Sequence, residues 1–219
     1  MVSGVRRAAT AVALLATLTG PAARAAAQVS VEVFGGTAYS VPTPLRITQS
    51  GSPPLRFTAH WSTRPLSGSP YYAWRITWWK VNRGWAVDFV HHKVYLENNP
   101  PEVQRFEITH GYNLLALGRR WRDGTLGYSL GAGVVIGHPE STVRGRTEPE
   151  EGGLFGNGYR LAGATLLGGV GERLELSKRF YASVEGRLTA SYARVPIRDG
   201  HASVPNVAVH VLVGLGGTF

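Results

Sequence analysis

The sequence predicts an all-β fold, an eight-stranded antiparallel transmembrane β-barrel with short periplasmic turns and longer extracellular loops. Three observations predict it. Apolar and polar residues alternate with period 2 from residue 29 onward, and no helical periodicity of useful length interrupts them. Each candidate strand has one almost wholly apolar face, too bare for water. Tight and long connections alternate along the chain, the plan of an outer-membrane barrel with an even strand count.

The elements follow in order. Residues 1–27 read as a signal peptide: Arg6 and Arg7 precede the apolar run "AATAVALLATL", and "AAA" precedes Gln28. That run is too short to span a bilayer as a helix, which takes about 20 residues. The barrel is expected over 28–219, with strands at 29–40, 70–80, 84–96, 112–121, 125–137, 159–176, 179–195 and 206–219. The apolar run 55–63 falls inside a long loop if the alternation of connections is to hold. Tight links lie at Asn82-Arg83, Arg122-Asp123-Gly124 and Ser177-Lys178; the long ones span 41–69, 97–111, 138–158 and 196–205.

Tyr72, Trp74, Ile76 and Trp78 share one face, as do Tyr128, Leu130, Ala132, Val134 and Ile136, and again Val207, Val209, Val211, Val213 and Leu215. The opposite positions are small or polar: Thr77, Ser129, Gly131, Gly133, Gly214 and Gly216. Eight strands enclose a bore only wide enough for side chains to fill, so small and polar residues belong inside and the apolar ones face lipid. A soluble sandwich or lipocalin-like barrel would have to bury both faces. The chain has 28 glycines, many within apolar segments, and no cysteine, so no disulfide framework holds this exported chain together. Its formal net charge is +9, and the leader's Arg6, Arg7 and Arg24 account for three of those charges, leaving +6. Arg119, Arg120, Arg122, Arg173, Lys178 and Arg179 gather near the tight turns, where lipid headgroups explain them. Nucleic-acid binding is not indicated. The terminal Phe219 suits recognition of the last strand by the outer-membrane insertion machinery, and the barrel is expected to be a monomer.

Two clusters carry possible chemistry. The first is a polar set inside the lumen: Arg75, Asp88, Glu185, Arg187 and His210, near Thr77, Ser129 and Thr189. Opposite charges within a closed barrel need one another, so a salt-bridge plug is expected there. The second is a rim set of His91, His92, Glu107, His110, Asn113, His138 and Glu140, at the upper ends of three neighbouring strands. It could hold a divalent metal or supply an acid or base for lipid chemistry. No HExxH motif is present, and His91 and His92 point to opposite sides of their strand. In "GHPES", Ser141 follows His138 by three residues without the pattern of a serine hydrolase. The stripe "GWAVDFVHHKVY" turns basic where the strand leaves hydrocarbon, which makes His91, Lys93 and Tyr95 candidate contacts of lipid A. Loop 139–158 reads as solvated.

"PYYAWRITWW", "AVDFVHHKVY", "FEITHGYNLLALGRRW" and "GAGVVIGHPE" together resemble the bacterial lipid A oxidase-like outer-membrane proteins. Arg75, His91, Lys93, Tyr95, Glu107, Asn113 and His138 are the matching positions, within roughly residues 70–140. The resemblance implies an eight-stranded OmpA-like barrel. It also implies oxygen-dependent conversion of the proximal glucosamine of lipid A to an aminogluconate, although a shared fold does not carry an activity with it. Two function classes follow. One is a structural or surface-interaction barrel, plugged and in contact with lipopolysaccharide. The other is a lipid A-modifying enzyme in which His91, Glu107, His110 and His138 are catalytic or bind metal.

Overall fold

A computed structural model describes residues 28–154 and 156–219, so the expected leader lies outside the described residues. The strands are β1 (Gln28–Val41), β2 (Thr43–Gln49), β3 (Leu55–Ala59), β4 (Trp61–Ser62), β5 (Tyr72–Lys80), β6 (Arg83–Leu96) and β7 (Val103–Asp123). They continue with β8 (Leu126–Gly137), β9 (Glu140–Val143), β10 (Arg146–Thr147), β11 (Arg160–Glu175), β12 (Phe180–Ile197) and β13 (Gly200–Thr218). Eight of them pair antiparallel in the cyclic order β1, β5, β6, β7, β8, β11, β12, β13. The ring closes where β13 returns to β1, from Ser30 opposite Thr218 to Val41 opposite Val207. A closed ring has no unpaired edge, which lets a sheet cross hydrocarbon.

Strand parity places the apolar stripes outside, as expected. Val33, Trp85, Leu130, Leu166, Leu188 and Val213 are all more than half exposed on the outer wall, whereas Arg75, Thr77, Asp88, Thr189 and His210 are at most 1% exposed inside. On β12 the apolar stripe runs from Phe180 to Tyr192. Twelve residue steps at about 3.3 Å span about 40 Å of strand, or about 28 Å along the membrane normal at a 45° tilt, which matches a hydrocarbon core. The fold is therefore a transmembrane β-barrel. Glycines on the inner wall make room for large neighbours: a Cβ at Gly214 would lie 2.5 Å from the Phe34 ring, and one at Gly216 would run into Tyr181.

At the loop end the strands continue beyond the belt and build a cap. β2 pairs with the upper end of β13, β3 with β2, β4 with β6, and β9 with β7. Leu45, Ile47, Trp61, Val94, Phe106, Ile108, Val195, Ile197 and Val204 fill it as an apolar core. Run 55–63 is thus largely strand, and the expected loops 97–111 and 196–205 shrink. The first is mostly the start of β7; the second is a two-residue turn at Arg198-Asp199. Their residues still alternate with period 2, but above the belt the apolar side turns inward. Among the described residues no helix is long and apolar enough to cross a membrane.

Candidate functional site

Arg75, Asp88, Glu185 and Arg187 lie together in the lumen, within a larger set of charged groups. Arg75 donates through Nη1 and Nη2 to the two carboxylate oxygens of Glu185, both at 2.8 Å, and through Nε to Asp88 at 2.6 Å. Arg187 donates through Nε to Glu185 at 2.9 Å. Glu32 and Arg120, joined at 2.6 Å, complete the set. Three guanidinium groups face three carboxylates, so the buried charge balances. Arg120 was expected among the turn-end headgroups; it instead shares the inward parity of Ala116 and Gly118 and is buried. Arg122 and Arg173 likewise line the turn-end mouth of the lumen, over the rings of Trp79 (4.8 Å) and Tyr181 (4.5 Å).

His210 lies above the ion pairs. Its Nδ1 is 2.6 Å from Tyr71 Oη and its Nε2 is 2.8 Å from Thr189 Oγ1. His92, expected on the rim, points into the lumen, with its ring 5.1 Å from that of His210 and Nε2 3.3 Å from Ser40 Oγ.

The remaining rim residues form a groove on the outer wall. Opposite Lys93 the β6–β7 pairing slips, since His92 faces Tyr112 while Val94 faces Ile108. Residues 109–111 therefore bulge, helped by Gly111 at φ 131°, where a Cβ would collide with the Asn113 side chain. The bulge throws His110 outward, about half exposed. Its Nδ1 lies 2.8 Å from Glu140 Oε1, which also accepts from Thr109 Oγ1 at 2.5 Å; Arg105 pairs with the second oxygen and with Glu107. The His138 ring lies 4.9 Å from that of His110 and edge-on to Tyr159, with both of its nitrogens buried and unpartnered. Beside this pair, His91 Nδ1 is 2.8 Å from Asn113 Oδ1. Tyr72 stacks on its ring at 5.0 Å, and its Nε2 has no partner.

Tyr72, Phe89, His91, His110, Asn113, Ile136 and Tyr159 line a cavity of about 400 Å³ with Ser69, Pro70 and Leu154. Burial disfavours a charge on Glu140, but the hydrogen bonds from Thr109 and His110 and the charge of Arg105 outweigh it and hold its carboxyl below the usual range. Burial, then the neighbouring His110, lowers the pKa of His138 below that of an ordinary imidazole. The groove thus offers a carboxylate-oriented imidazole beside a second imidazole with a free nitrogen, a set that can take or give a proton.

Lys93 does not reach lipid. It is fully buried, its ammonium donating to the carbonyls of Arg64 (2.8 Å), Ser67 (2.5 Å) and Ser69 (2.7 Å). It fastens a strap, residues 63–71, whose lower part forms one wall of the groove. Tyr95 is covered in part by the Arg64 guanidinium, 4.5 Å above its ring. Ser141 has no hydrogen-bond partner for its hydroxyl, so no serine–histidine pair forms there. Among the described residues no three His, Asp or Glu side chains are placed to hold a metal ion.

No protein-family model and no curated protein matches the chain. Among solved structures it is similar to the attachment invasion locus protein Ail of Yersinia pestis, at 14% identity and TM-score 0.41, covering 88% of this chain and 99% of that one. It is also similar to the outer membrane protein OprG of Pseudomonas aeruginosa, at 11% identity and TM-score 0.47, covering 88% and 96%. A third is the outer membrane protein AlkL in lipid bilayers, at 13% identity and TM-score 0.46, covering 93% and 96%.

Proposed function

We propose that this chain is an outer-membrane barrel with a plugged, non-conducting lumen that works from its outer wall, where the rim groove holds the head group of an outer-leaflet glycolipid of the lipopolysaccharide type. The groove carries the reading. It lies on the lipid-facing wall at the loop-end margin of the belt, with Phe89 and Ile136 for acyl chains and His91, Asn113 and His110 for a polar head. The lumen supports the same reading, because the ion pairs fill its middle and the apolar core of the cap lies above them.

One observation favours a second reading, lipid A modification in the same groove. Glu140 orients the half-exposed His110, and beside it the buried Nε2 of His91 has no hydrogen-bond partner; an oriented imidazole at the groove suits acid–base chemistry on a lipid head. The resemblance to the lipid A oxidase-like proteins supports it unevenly. Of the matching positions, His91 and Asn113 line the groove and His138 adjoins it; Arg75 and Lys93 are held in buried ion-pair and carbonyl contacts.

Mass spectrometry of lipid A from cells with and without the gene, beside a His91→Ala/His110→Ala variant, separates the readings. Identical spectra, with glycolipid crosslinked through a photoreactive group at position 72, would establish a contact site. A mass change that disappears in the variant would establish an enzyme. Liposomes carrying the barrel should retain small solutes, and size-graded release would overturn the plugged lumen.

A further inference from the structure

The opposite wall of the barrel carries a second feature. β2 and β3 fold as a hairpin against the upper end of β13, and register aligns Arg56, Arg46, Ser203 and Arg194 in one lateral row across β3, β2, β13 and β12. All three arginines are exposed and outward, while their neighbours Leu45, Ile47, Val195 and Ala202 point into the cap core. Arg46 stands directly opposite Arg56, an arrangement of like charges that destabilises a strand pair unless an anion intervenes. Among the described residues none of the three has a carboxylate within 4.0 Å; Asp199, nearby in sequence, is engaged by Arg146 and Arg198. Among the described residues the one side chain in hydrogen-bond range of the three is His201, whose Nδ1 is 3.2 Å from Arg194. Burial, then Arg194 and Arg46, lowers the His201 pKa below its ordinary value, so it adds little charge of its own.

Height decides what the row can meet. Arg194 is two residues above Tyr192, the last exposed aromatic of the β12 stripe, so the arginines stand just outside the hydrocarbon. Below them Tyr39, Val41, Leu188, Tyr192 and Val209 form an exposed apolar track on β1, β12 and β13. In the ring, β12 and β13 lie across the bore from β6 and β7, so one lipid head cannot bridge this row and the groove.

We infer that the Arg46–Arg56–Arg194 row is a second lipid site, which binds the phosphates of an outer-leaflet phosphoglycolipid whose acyl chains lie along the track beneath. Guanidinium forks match phosphate bidentately, and a lipid-anchored phosphate is presented at this level of the barrel. The inference shares with the proposed function only the orientation of the barrel, loop end outward. It does not depend on what the groove binds.

The test uses the full chain in phosphatidylcholine nanodiscs doped with bisphosphorylated lipid A or with its dephosphorylated form, reading retained glycolipid by native mass spectrometry. The unaltered barrel should retain the phosphorylated form preferentially. Arg46→Gln/Arg194→Gln should weaken that retention about 30-fold, and the milder Arg56→Gln about fivefold. All three positions are exposed, and heat-modifiable gel migration checks that each variant is folded. Equal retention of both lipid forms would overturn the inference, as would full retention by the double variant. It would also fail if a soluble polysulfated sugar bound lipid A-free discs through Arg46 and Arg194 while lipid A was not retained. Loss confined to His91→Ala/His110→Ala would overturn the arginine row and leave the groove reading standing, whereas loss confined to Arg46→Gln/Arg194→Gln would leave the row standing whatever the groove binds.

Discussion

β12 changes its mind about solvent about two-thirds of the way along. From Phe180 to Tyr192 its inward residues are Tyr181, Ser183, Glu185, Arg187, Thr189 and Ser191, and its outward residues include Val184, Leu188 and Tyr192. Beyond that point the inward residues become Ala193, Val195 and Ile197, and Arg194 faces out. β13 makes the same exchange, from His210 inside and Val209 outside to Val204 inside and Ser203 outside. The period never breaks; only the polarity of the two faces inverts. Inside the belt lipid takes the apolar residues and the lumen must satisfy polar ones with each other. In the cap water takes the polar residues and the lumen becomes an ordinary apolar core. One strand therefore carries two folding problems, and the boundary between them marks the membrane surface.

The two halves should fail differently, and the charged half should fail hardest. Arg75→Met leaves Glu185 and Asp88 buried beside too few cations, so unfolding in urea should show a loss of about 3–5 kcal/mol. Replacing Arg75 and Glu185 together by Met and Leu should cost clearly less than the sum of the single changes, because the uncompensated charge is removed. A strictly additive pair would mean that the plug is not an interdependent network.

The strap comes next. Lys93→Met removes the donor that three carbonyls share, an expected local cost of about 1–3 kcal/mol. It should appear as faster hydrogen exchange across residues 63–71 with little change in the belt. Uniform acceleration around the barrel would mean that Lys93 supports the whole ring. The cap should be the most forgiving: Ile47→Val, at a fully buried position, should cost about 0.5–1.5 kcal/mol.

This contrast also explains what the sequence disclosed. The ring was legible because period 2 survives throughout, and parity alone puts Arg75, Asp88, Glu185 and Arg187 in one lumen. The same parity places Arg120 and His92 inside; nearness to a turn in one case and to the rim in the other had suggested otherwise. Glu32 could be found in the same way, on the inward face of β1 with Ser30 and Phe34. The cap was hidden because its inward face is apolar, the reverse of the belt below, so its strands resembled loops. The groove was only half legible. Its residues are visible in "THGYN" and "VHHKVY", but the bulge at 109–111 and the carbonyl cage around Lys93 interrupt periodicity and depend on chain segments far apart in sequence.

The smallest expected effect concerns pH at the groove, and its sign follows from the two lowered pKa values. His138 is buried and neutral in the fold, so the open chain binds its proton more readily. The resulting stability is complete above the ordinary imidazole range and declines as pH falls through it. Glu140 acts lower down: its contribution is present above the ordinary carboxylate range and is lost as pH falls through its depressed value. Both groups therefore favour opening of residues 138–159 on acidification, first through His138 and then through Glu140. Hydrogen exchange of that segment, corrected for the intrinsic rate, should be faster at about pH 5 than at about pH 7.5, with a further rise near pH 4. In His138→Gln the first step should disappear while the second remains. If His138→Gln leaves the first step intact, another titrating group governs the wall of the groove.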